Sequence, residues 1–325
     1  MIRTALVVLL GIAMFVSMAL VAGPEHTSVP PRASAATTRS PALTSLWRDE
    51  PADVNRVRIA PILGASEPSD LLLRDGGIFS VGDSNQTIYR FQVDNGVKAI
   101  IQAGIWTPDG LPKGADLEAF AALPGGEVLV ASETNGIIFV MNPFPQHVCA
   151  AWHTGIEGTC LFGRANCGIE ALAVLPGGRL FVGKEREPRG AFLFELPAEP
   201  CTATTLAGKI ALKLPDEIGA DLSAATFDEP TGHLLIVART SQKVLEFELL
   251  APNEGENAPR LNLVGSFSYA ASEDLIGYRT TIFHQVEGIA VDQARVLYLV
   301  VDNNEKSSSL FGARRAALLR FFPVR

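Results

Sequence analysis

The sequence has few charged residues, few cysteines and no basic run, and each shortage excludes a class of protein. Charged side chains make up 19% of the 325 residues and hydrophobic side chains 47%, which excludes an intrinsically disordered chain. Four cysteines are too few for a small disulfide-rich scaffold. No cluster of Lys or Arg exceeds a pair and the net charge is −8, so we expect no nucleic-acid partner. The composition is that of a globular protein with a sizeable core.

Catalytic motifs and helical patterns are also missing. The sequence contains no Gly-x-Ser-x-Gly, no His-Glu-x-x-His and no glycine-rich phosphate-binding loop. No long stretch has apolar residues at helical spacing, and short β-branched and Leu-rich runs alternate with Gly and Pro turns instead. This pattern predicts an all-β fold.

The N-terminus carries a long apolar run. Nineteen residues, 5–23, follow Arg3 without a single charge. The run predicts either a cleaved signal peptide or an uncleaved anchor in the inner membrane, and in both cases the rest of the chain is exported to the periplasm or the extracellular space. Residues 24–46 are rich in Pro, Ser, Thr and Ala, which is typical of a linker. We therefore expect an export segment in 1–23, a linker in 24–46 and a single folded domain in 47–325.

Five similar segments follow one another from residue 67 onward. Each has Ser or Glu before a short apolar run, turns at Pro-Gly-Gly or an equivalent, and continues with further strand-like runs. We call these first polar residues the anchors; they lie 49, 52, 53 and 64 residues apart and are Ser69, Glu118, Glu170, Ser223 and Glu287. Units of this length hold four strands, and such units repeated around an axis form a β-propeller. The sequence thus predicts a five-bladed β-propeller of four-stranded blades.

Closure of the ring follows from the strand count. The last unit supplies three strands, whereas the strand-like run 53–63 precedes the first unit and has no partner there. We therefore expect this N-terminal strand to complete the last blade. The domain is expected to be a monomer.

A second polar set lies about fifteen positions after the anchors, and the propeller topology brings both sets to one face near the axis. These strand-end residues are Asp83, Glu133, Glu185, Arg239 and Asp302. Seven carboxylates cannot all stay ionised side by side without compensation, and their oxygens suit a hard cation such as Ca²⁺. The predicted metal ligands are Glu118, Glu170, Glu287, Asp83, Glu133, Glu185 and Asp302. The alternative is a structural network in which the anchors bond backbone amides of the neighbouring blade.

Candidates for catalysis and ligand binding lie on the same face. The candidate acids and bases are Glu118, Glu170, Glu287 and His284. Arg239 stands where the other repeats have a carboxylate, so we expect it either to neutralise Glu185 or to receive an anionic substrate. Lys184 is a second candidate for substrate binding.

Four cysteines in an exported chain predict two disulfides, and three pairings are open. Cys149 and Cys201 occupy equivalent positions of adjacent repeats, 52 residues apart, while Cys160 and Cys167 flank one loop. The loop of Cys160 and Cys167 is expected on the face of the propeller opposite to Cys149 and Cys201. Pairing of cysteines on the same face then gives Cys149–Cys201 and Cys160–Cys167. The outer strands of neighbouring blades splay apart, however, and this could put the first pair out of reach.

Three of the segments resemble the repeats of a known family. They are DLSAATFDEPTGHLLIVARTSQKVLEFE from Asp221, GIEALAVLPGGRLFVGKEREPRGAFLFEL from Gly168 and VEGIAVDQARVLYLVVDNN from Val286. They are similar to the SdiA-regulated-type propellers and to the related esterase-like phytase (phytase-like) domains, over about residues 60–325. The resemblance implies an exported bacterial propeller for which calcium and an ester or phosphate-ester substrate are proposals. The family's Ser/Glu-Gly-Leu pattern maps onto the anchors, but the residue after the anchor is Ala, not Gly, at Ala119, Ala171 and Ala224.

Three functions are compatible with these observations. The first is a cell-envelope binding module that holds Ca²⁺ and a small-molecule or protein ligand on the axial face; we favour it because few Lys or Arg residues map there. The second is a Ca²⁺-dependent esterase or phosphoesterase, a phytase-like hydrolase in which metal-bound water attacks the ester. The third is a former enzyme that has kept the fold. The fold alone does not distinguish them.

Overall fold

The computed structural model describes most of the predicted propeller and none of the predicted export segment. The described residues are 42–47, 57–63, 65, 67–83, 85–93, 100–156, 167–186, 188–219, 221–252, 258–269, 285–302 and 316–323. His284 and Cys160 lie outside these ranges. No helix among the described residues has the length and apolar character needed to cross a bilayer.

The described strands form five four-stranded blades, as the repeats predict. Strand β1 (Val57–Leu63) precedes the repeats. Blade 1 contains β2 (Pro68–Arg74), β3 (Gly77–Gly82), β4 (Thr87–Val93) and β5 (Ile100–Trp106). Blade 2 contains β6 (Leu117–Ala122), β7 (Val128–Ser132), β8 (Ile137–Met141) and β9 (Val148–His153). Blade 3 contains β10 (Ile169–Leu175), β11 (Arg179–Lys184), β12 (Gly190–Glu195) and β13 (Ala207–Leu212). Blade 4 contains β14 (Leu222–Asp228), β15 (His233–Ala238), β16 (Lys243–Leu250) and β17 (Arg260–Ser268). Blade 5 contains β18 (Val286–Val291), β19 (Leu297–Val301), β20 (Ala317–Phe321) and β1.

Strand β1 closes the ring, which confirms the predicted closure. It pairs antiparallel with β20, from Val57 opposite Phe321 to Pro61 opposite Ala317. Its last two residues also pair in parallel with the start of β5, where Ile62 faces Ile100. The outer edges of blades 5 and 1 are therefore joined through the backbone, a link that the repeat pattern does not predict.

The described residues form five apolar core clusters, each between two adjacent blades. Between blades 1 and 2, for example, Val81 and Ile88 lie in one cluster with Leu117 and Val130. Because neighbouring blades cover both faces of each sheet, the middle strands are apolar along their length rather than alternating. Strands β3, β7 and β15 are buried at every residue.

A short 3₁₀ helix, Leu43–Trp47, packs against blades 4 and 5, and we call it the N-terminal strap. The Trp47 ring lies 6.1 Å from the ring of Phe267, centroid to centroid, and its Nε1 donates to the carbonyl of Arg295 at 2.9 Å. The strap thus includes residues 43–46 of the segment expected to be linker and adds its apolar side chains to the cluster between these two blades.

The buried carboxylate of Glu246 fixes the start of the strap. It accepts hydrogen bonds from the N–H groups of Leu43 and Thr44, both at 2.7 Å, and from the Thr44 hydroxyl at 2.9 Å. His233 Nδ1 lies 2.6 Å from the same carboxylate. N–H groups at the start of a helix lack internal partners, and Glu246 supplies them from blade 4.

Candidate functional site

The anchors sit at irregular points of the inner strands. In blades 2 to 5 the pairing between first and second strand shifts register at the anchor: between Leu117 and Ala119, Ile169 and Ala171, Leu222 and Ala224, and Val286 and Gly288. In blade 1 the irregular stretch runs from Ser69 to Leu72. A bulge re-aims the side chain of the residue it leaves unpaired. Because the bulge recurs in every blade, it presents the anchors in equivalent positions around the axis.

Four of the five anchors and four of the five strand-end residues line one cavity, which we call the acidic cavity; Ser223 and Glu133 do not line it. Its volume is about 310 Å³. It is lined by Ser69, Asp83, Glu118, Glu170, Glu185, Arg186, Asp221, Arg239, Gln285, Glu287 and Asp302. In blades 1, 2, 3 and 5 the strand-end N–H donates to the carbonyl two residues before the anchor; the bonds are Asp83 to Glu67 (3.1 Å), Glu133 to Asp116 (2.9 Å), Glu185 to Gly168 (3.0 Å) and Asp302 to Gln285 (2.9 Å). These bonds hold the two polar sets beside each other.

Arg239 takes the strand-end position in blade 4 and connects three blades through its guanidinium group. It bonds Asp221 of its own blade through Nε (2.9 Å) and Nη2 (3.1 Å). Its Nη1 donates to Glu287 of blade 5 and its Nη2 to Glu185 of blade 3. Burial lowers the pKa of Arg239, but the surrounding carboxylates, Glu287 first, raise it well above the usual value. The guanidinium therefore stays charged and compensates these carboxylates.

Two groups of carboxylates in this region have the geometry to hold a metal ion. Within each group, ligand oxygens lie within 4.8 Å of one another. The first group is Asp83, Asp116 and Glu118, and the second is Glu133, Glu170 and Glu185. In the second group Glu185 is bonded by Arg239 and by Arg186, whose Nη2 lies 2.8 Å from Glu185 Oε1. The described residues place no Lys or Arg within ion-pair distance of the first group.

Within the first group, the pKa values of Asp83 and Glu118 are raised. Burial, together with a hydrogen bond to Asp116 and the charges of Asp116, Glu67 and Asp302, raises the pKa of Asp83 to about 9. Burial, reinforced by Asp83 and Asp116, raises the pKa of Glu118 well above its usual range. Glu118 is 7% exposed, and Asp116 Oδ1 is buried without a hydrogen-bond partner among the described residues.

The pKa values of the second group are also raised, although neighbouring cations and N–H donors oppose the increase. Burial raises the pKa of Glu133 to about 7 against the N–H of Gly168, which donates to Glu133 Oε1 at 3.0 Å. Burial raises the pKa of Glu185 to about 8 against its two arginine partners. Burial and the charge of Glu118 raise the pKa of Glu170 well above its usual range. The second oxygens of Glu133 and Glu185 are buried without a hydrogen-bond partner.

Most of the predicted site residues lie at the acidic cavity, but some do not. All seven predicted metal ligands lie in the acidic cavity or in the second carboxylate group. Lys184 is buried at the end of β11 and does not line the cavity; the neighbouring Arg186 does. His284 lies outside the described residues. Among the anchors, Ser223 contacts the neighbouring blade, because its hydroxyl donates to the carbonyl of Val286 at 2.6 Å. This is a bond to the backbone of the next blade, as in the structural alternative, although the partner is a carbonyl group and not an N–H group.

Sequence reasoning missed Asp116 and Asp221. Both occupy the position two residues before an anchor, Asp116 before Glu118 and Asp221 before Ser223. The aligned repeats contain this signal, because the same position holds Glu67 in the first unit. Only the fold shows why it matters, since this position faces the strand-end residue of the same blade.

The opposite end of the axis has a different chemistry. A second cavity of about 350 Å³ lies there, lined mainly by apolar residues that include Leu71, Leu73, Phe120, Leu172 and Phe227. We call it the apolar cavity. Glu229 is the single ionisable residue among those that line it. The two cavities have no lining residue in common.

Blades 2 and 3 are covalently linked at their outer edges. Cys149 on β9 and Cys201, which precedes β13, form a disulfide with a Cα–Cα distance of 5.1 Å, so this predicted pair is confirmed. Cys167 is also disulfide-bonded, and Cys160 lies outside the described residues. Disulfides of this kind persist in oxidising compartments.

The sequence comparison identifies the family. A family model described as SdiA-regulated matches residues 74–305. The chain belongs to the SdiA-regulated family. The solved structure of glutaminyl cyclase from Myxococcus xanthus shares the fold of this SdiA-regulated protein: it is 14% identical, with 83% of this chain and 97% of that chain covered and a TM-score of 0.51. A luciferin-regenerating enzyme is 12% identical, with 79% and 77% covered and a TM-score of 0.46.

Proposed function

We propose that this member of the SdiA-regulated family is an exported, monomeric binding module that holds a divalent cation, Ca²⁺, in its acidic cavity. The ion would be held by Asp83, Asp116 and Glu118, and the remaining cavity would receive a small-molecule or protein ligand. The observation that carries the proposal is the unequal distribution of positive charge. Arg239 and Arg186 compensate one side of the cavity, whereas the first carboxylate group has no described basic partner.

The ligand chemistry of this group favours calcium. Its donors are carboxylate oxygens alone, and neither of the two metal-competent groups contains a His or Cys of the kind that zinc prefers. Without a cation, the buried carboxyl groups carry protons instead, which agrees with the raised pKa of Asp83 and of Glu118. A cation that replaces these protons would remove the repulsion among the ionised carboxylates.

The engagement of Arg239 favours binding over hydrolysis. Four hydrogen bonds to Asp221, Glu287 and Glu185 occupy most of the five N–H groups of its guanidinium. Arg239 is therefore committed to the cavity wall and is not free to receive an anionic ligand.

One observation keeps a hydrolase as the second candidate. The side chain of Arg186 is 40% exposed and lines the same cavity as Glu118 and Glu170. Arg186 would bind the anionic part of an ester or phosphate ester, and Glu170 would accept or donate a proton beside it. A bound Ca²⁺ would supply a polarised water to such a reaction.

Export is the third element of the proposal. The disulfides fit an oxidising environment, and the apolar run 5–23 would serve as signal peptide or inner-membrane anchor.

The test measures bound metal and thermal stability with added Ca²⁺ or a chelator. We expect one ion per chain and a stabilisation of about 2.7 kcal/mol at a hundredfold excess over the dissociation constant. The double variant Asp83→Asn/Glu118→Gln should lose this response, while the control Glu229→Gln, in the apolar cavity, should keep it. A wild-type protein that neither contains a divalent ion nor responds to calcium contradicts the proposal. Turnover in an ester and phosphate-ester screen that depends on Arg186 and Ca²⁺ would favour the hydrolase.

A further inference from the structure

Asp70 occupies a repeat position that is otherwise reserved for the smallest side chains. The residues that directly follow the five anchors are Asp70, Ala119, Ala171, Ala224 and Gly288. The three alanines are fully buried, and Asp70 is 1% exposed. A buried carboxyl group at this position is a departure from the repeat, because the equivalent residues of the other four blades carry at most a methyl group.

The carboxylate of Asp70 connects three consecutive inner strands. Oδ2 accepts a hydrogen bond from the N–H of Phe120 in blade 2 at 2.6 Å. Oδ1 accepts one from its own neighbour Leu71 at 2.7 Å and a longer one, at 3.4 Å, from Ile289 in blade 5. Phe120 and Ile289 each lie two residues after an anchor, Glu118 and Glu287.

The backbone at this point is adapted to that carboxylate. Asp70 has a φ of 35°, in the left-handed region that L-residues rarely adopt. Gly288 lies against it, and a Cβ added to Gly288 would be 2.4 Å from the Asp70 Cα. Blade 5 therefore has Gly where blades 2 to 4 have Ala, because Asp70 fills the space that a methyl group would take.

Asp70 also lies between the two cavities. Its preceding neighbour, Ser69, lines the acidic cavity, and the following residues, Leu71 and Leu72, line the apolar cavity. Asp70 itself lines neither of them. Burial raises its pKa well above the usual range, although three N–H groups oppose this effect.

We propose that Asp70 is the positioning residue of the acidic cavity. By binding the N–H groups of Phe120 and Ile289, it sets the inner strands of blades 2 and 5 so that Glu118 and Glu287 face the cavity. The effect on cation binding rests on the proposed function; the effect on the strands does not.

The experiment compares the full-length protein with Asp70→Asn. Asparagine keeps the shape of the side chain but presents an NH₂ group to one of the N–H donors, so one set of bonds is lost. Hydrogen exchange should become faster in β6 and β18 and stay unchanged in β10, which Asp70 does not touch. The affinity for Ca²⁺ alone, measured by calorimetry, should fall about tenfold, as is common when a residue that orients a metal ligand is changed.

The matched control is Asp292→Asn. Asp292 also accepts a backbone N–H, from Val296 at 2.9 Å, but lies away from the acidic cavity. This control should leave the affinity for Ca²⁺ unchanged. Asp70→Asn that weakens binding no more than Asp292→Asn, or that speeds exchange equally in all blades, would overturn the proposal.

Two further outcomes keep the test decisive. If the wild-type protein binds no Ca²⁺, the proposed function fails, and the exchange pattern alone decides the role of Asp70. If Asp70→Asn does not fold, Gly288→Ala tests the same contact from the other side. It should speed exchange in β18 and β2 before other inner strands, and an unchanged pattern would overturn the proposal.

Discussion

Arg239 and Asp221 meet in a two-pronged ion pair within blade 4, with Nε 2.9 Å from Oδ2 and Nη2 3.1 Å from Oδ1. Asp221 fixes the plane of the guanidinium, and this orientation lets its two Nη atoms reach Glu287 on one side and Glu185 on the other. A bidentate arginine pair fixes geometry as well as charge. The acidic cavity therefore has a rigid wall at blade 4 and an uncompensated group of carboxylates across the axis.

Replacement of Arg239 by Gln should strongly destabilise the protein. It leaves Asp221 and Glu287 at the buried wall without their cation and Glu185 with Arg186 alone, and loss of one partner of a buried pair typically costs about 3–5 kcal/mol. The matched control is Arg186→Gln, since this side chain is 40% exposed and solvent screens its ion pair, so that a loss of at most about 1 kcal/mol is expected. Chemical denaturation of both variants gives the comparison. Equal stability of the two would contradict the role assigned to Arg239.

The metal-free protein should lose stability as the pH rises. A carboxyl group whose pKa is higher in the folded than in the unfolded state contributes fully below the unfolded value, about 4, and loses this contribution as the pH rises through the folded value. The folded values are about 7 for Glu133, about 8 for Glu185 and about 9 for Asp83. The melting temperature in chelator should therefore fall between about pH 5 and pH 9.

Calcium should make this fall shallower, because a bound cation takes the place of the protons. Melting curves across the same pH range, with chelator and with Ca²⁺, provide the measurement. A melting temperature in chelator that stays constant or rises with pH would argue against the raised pKa values of these carboxyl groups.

Truncations should separate the strap from the closing strand. A chain that begins at residue 48 lacks Leu43 and Trp47, which are 2% and 3% exposed, and should fold with a stability lower by about 3–5 kcal/mol. A chain that begins at residue 64 also lacks β1, exposes the edge of β20 and should not fold into a closed ring. Circular dichroism and chemical denaturation of the two truncated chains, compared with a chain that begins at residue 42, test this order of stability. A cooperative unfolding transition in the chain lacking β1 would refute closure by this strand.

The disulfide between blades 2 and 3 should contribute about 2–4 kcal/mol, since it closes a loop across a sequence separation of 52. The double variant Cys149→Ala/Cys201→Ala removes it and leaves the disulfide of Cys167 in place. The variant should be less stable in denaturant, while its response to Ca²⁺ stays as in the wild type, because both cysteines lie at the outer edge. A changed calcium response would show that the outer edge is coupled to the axis.

The fold could be predicted from the sequence because the repeat carries it. Buried strands and Gly-containing turns recur at a nearly constant interval, so the anchors alone define five blades, and the unpaired run before the first repeat defines the closure. Features that do not recur in the repeats could not be predicted from the sequence. The strap depends on Glu246, a single buried carboxylate within an apolar strand, and nothing in the segment 43–47 indicates its partner 200 residues away.

The candidate site was predictable as a set of positions but not as a set of contacts. Alignment of the repeats brings the carboxylates and Arg239 to one face, yet it cannot show that Arg239 binds Asp221 and Glu287 in addition to Glu185. Asp70 was missed for a related reason. A bulge changes which residue faces which neighbour, and the register shift at Ser69 cannot be read from residue types.

Blade 5 combines the first strand of the propeller, β1, with its last three, β18 to β20. During synthesis, blades 1 to 4 can each pair their own strands as they emerge, but β1 has no antiparallel partner until β20 is complete. Contacts of such long sequence separation form late. In a chain whose synthesis stops before β20, the edge of β1 that pairs with β20 therefore stays exposed. Only a chain that contains β20 can pair this edge and close the ring.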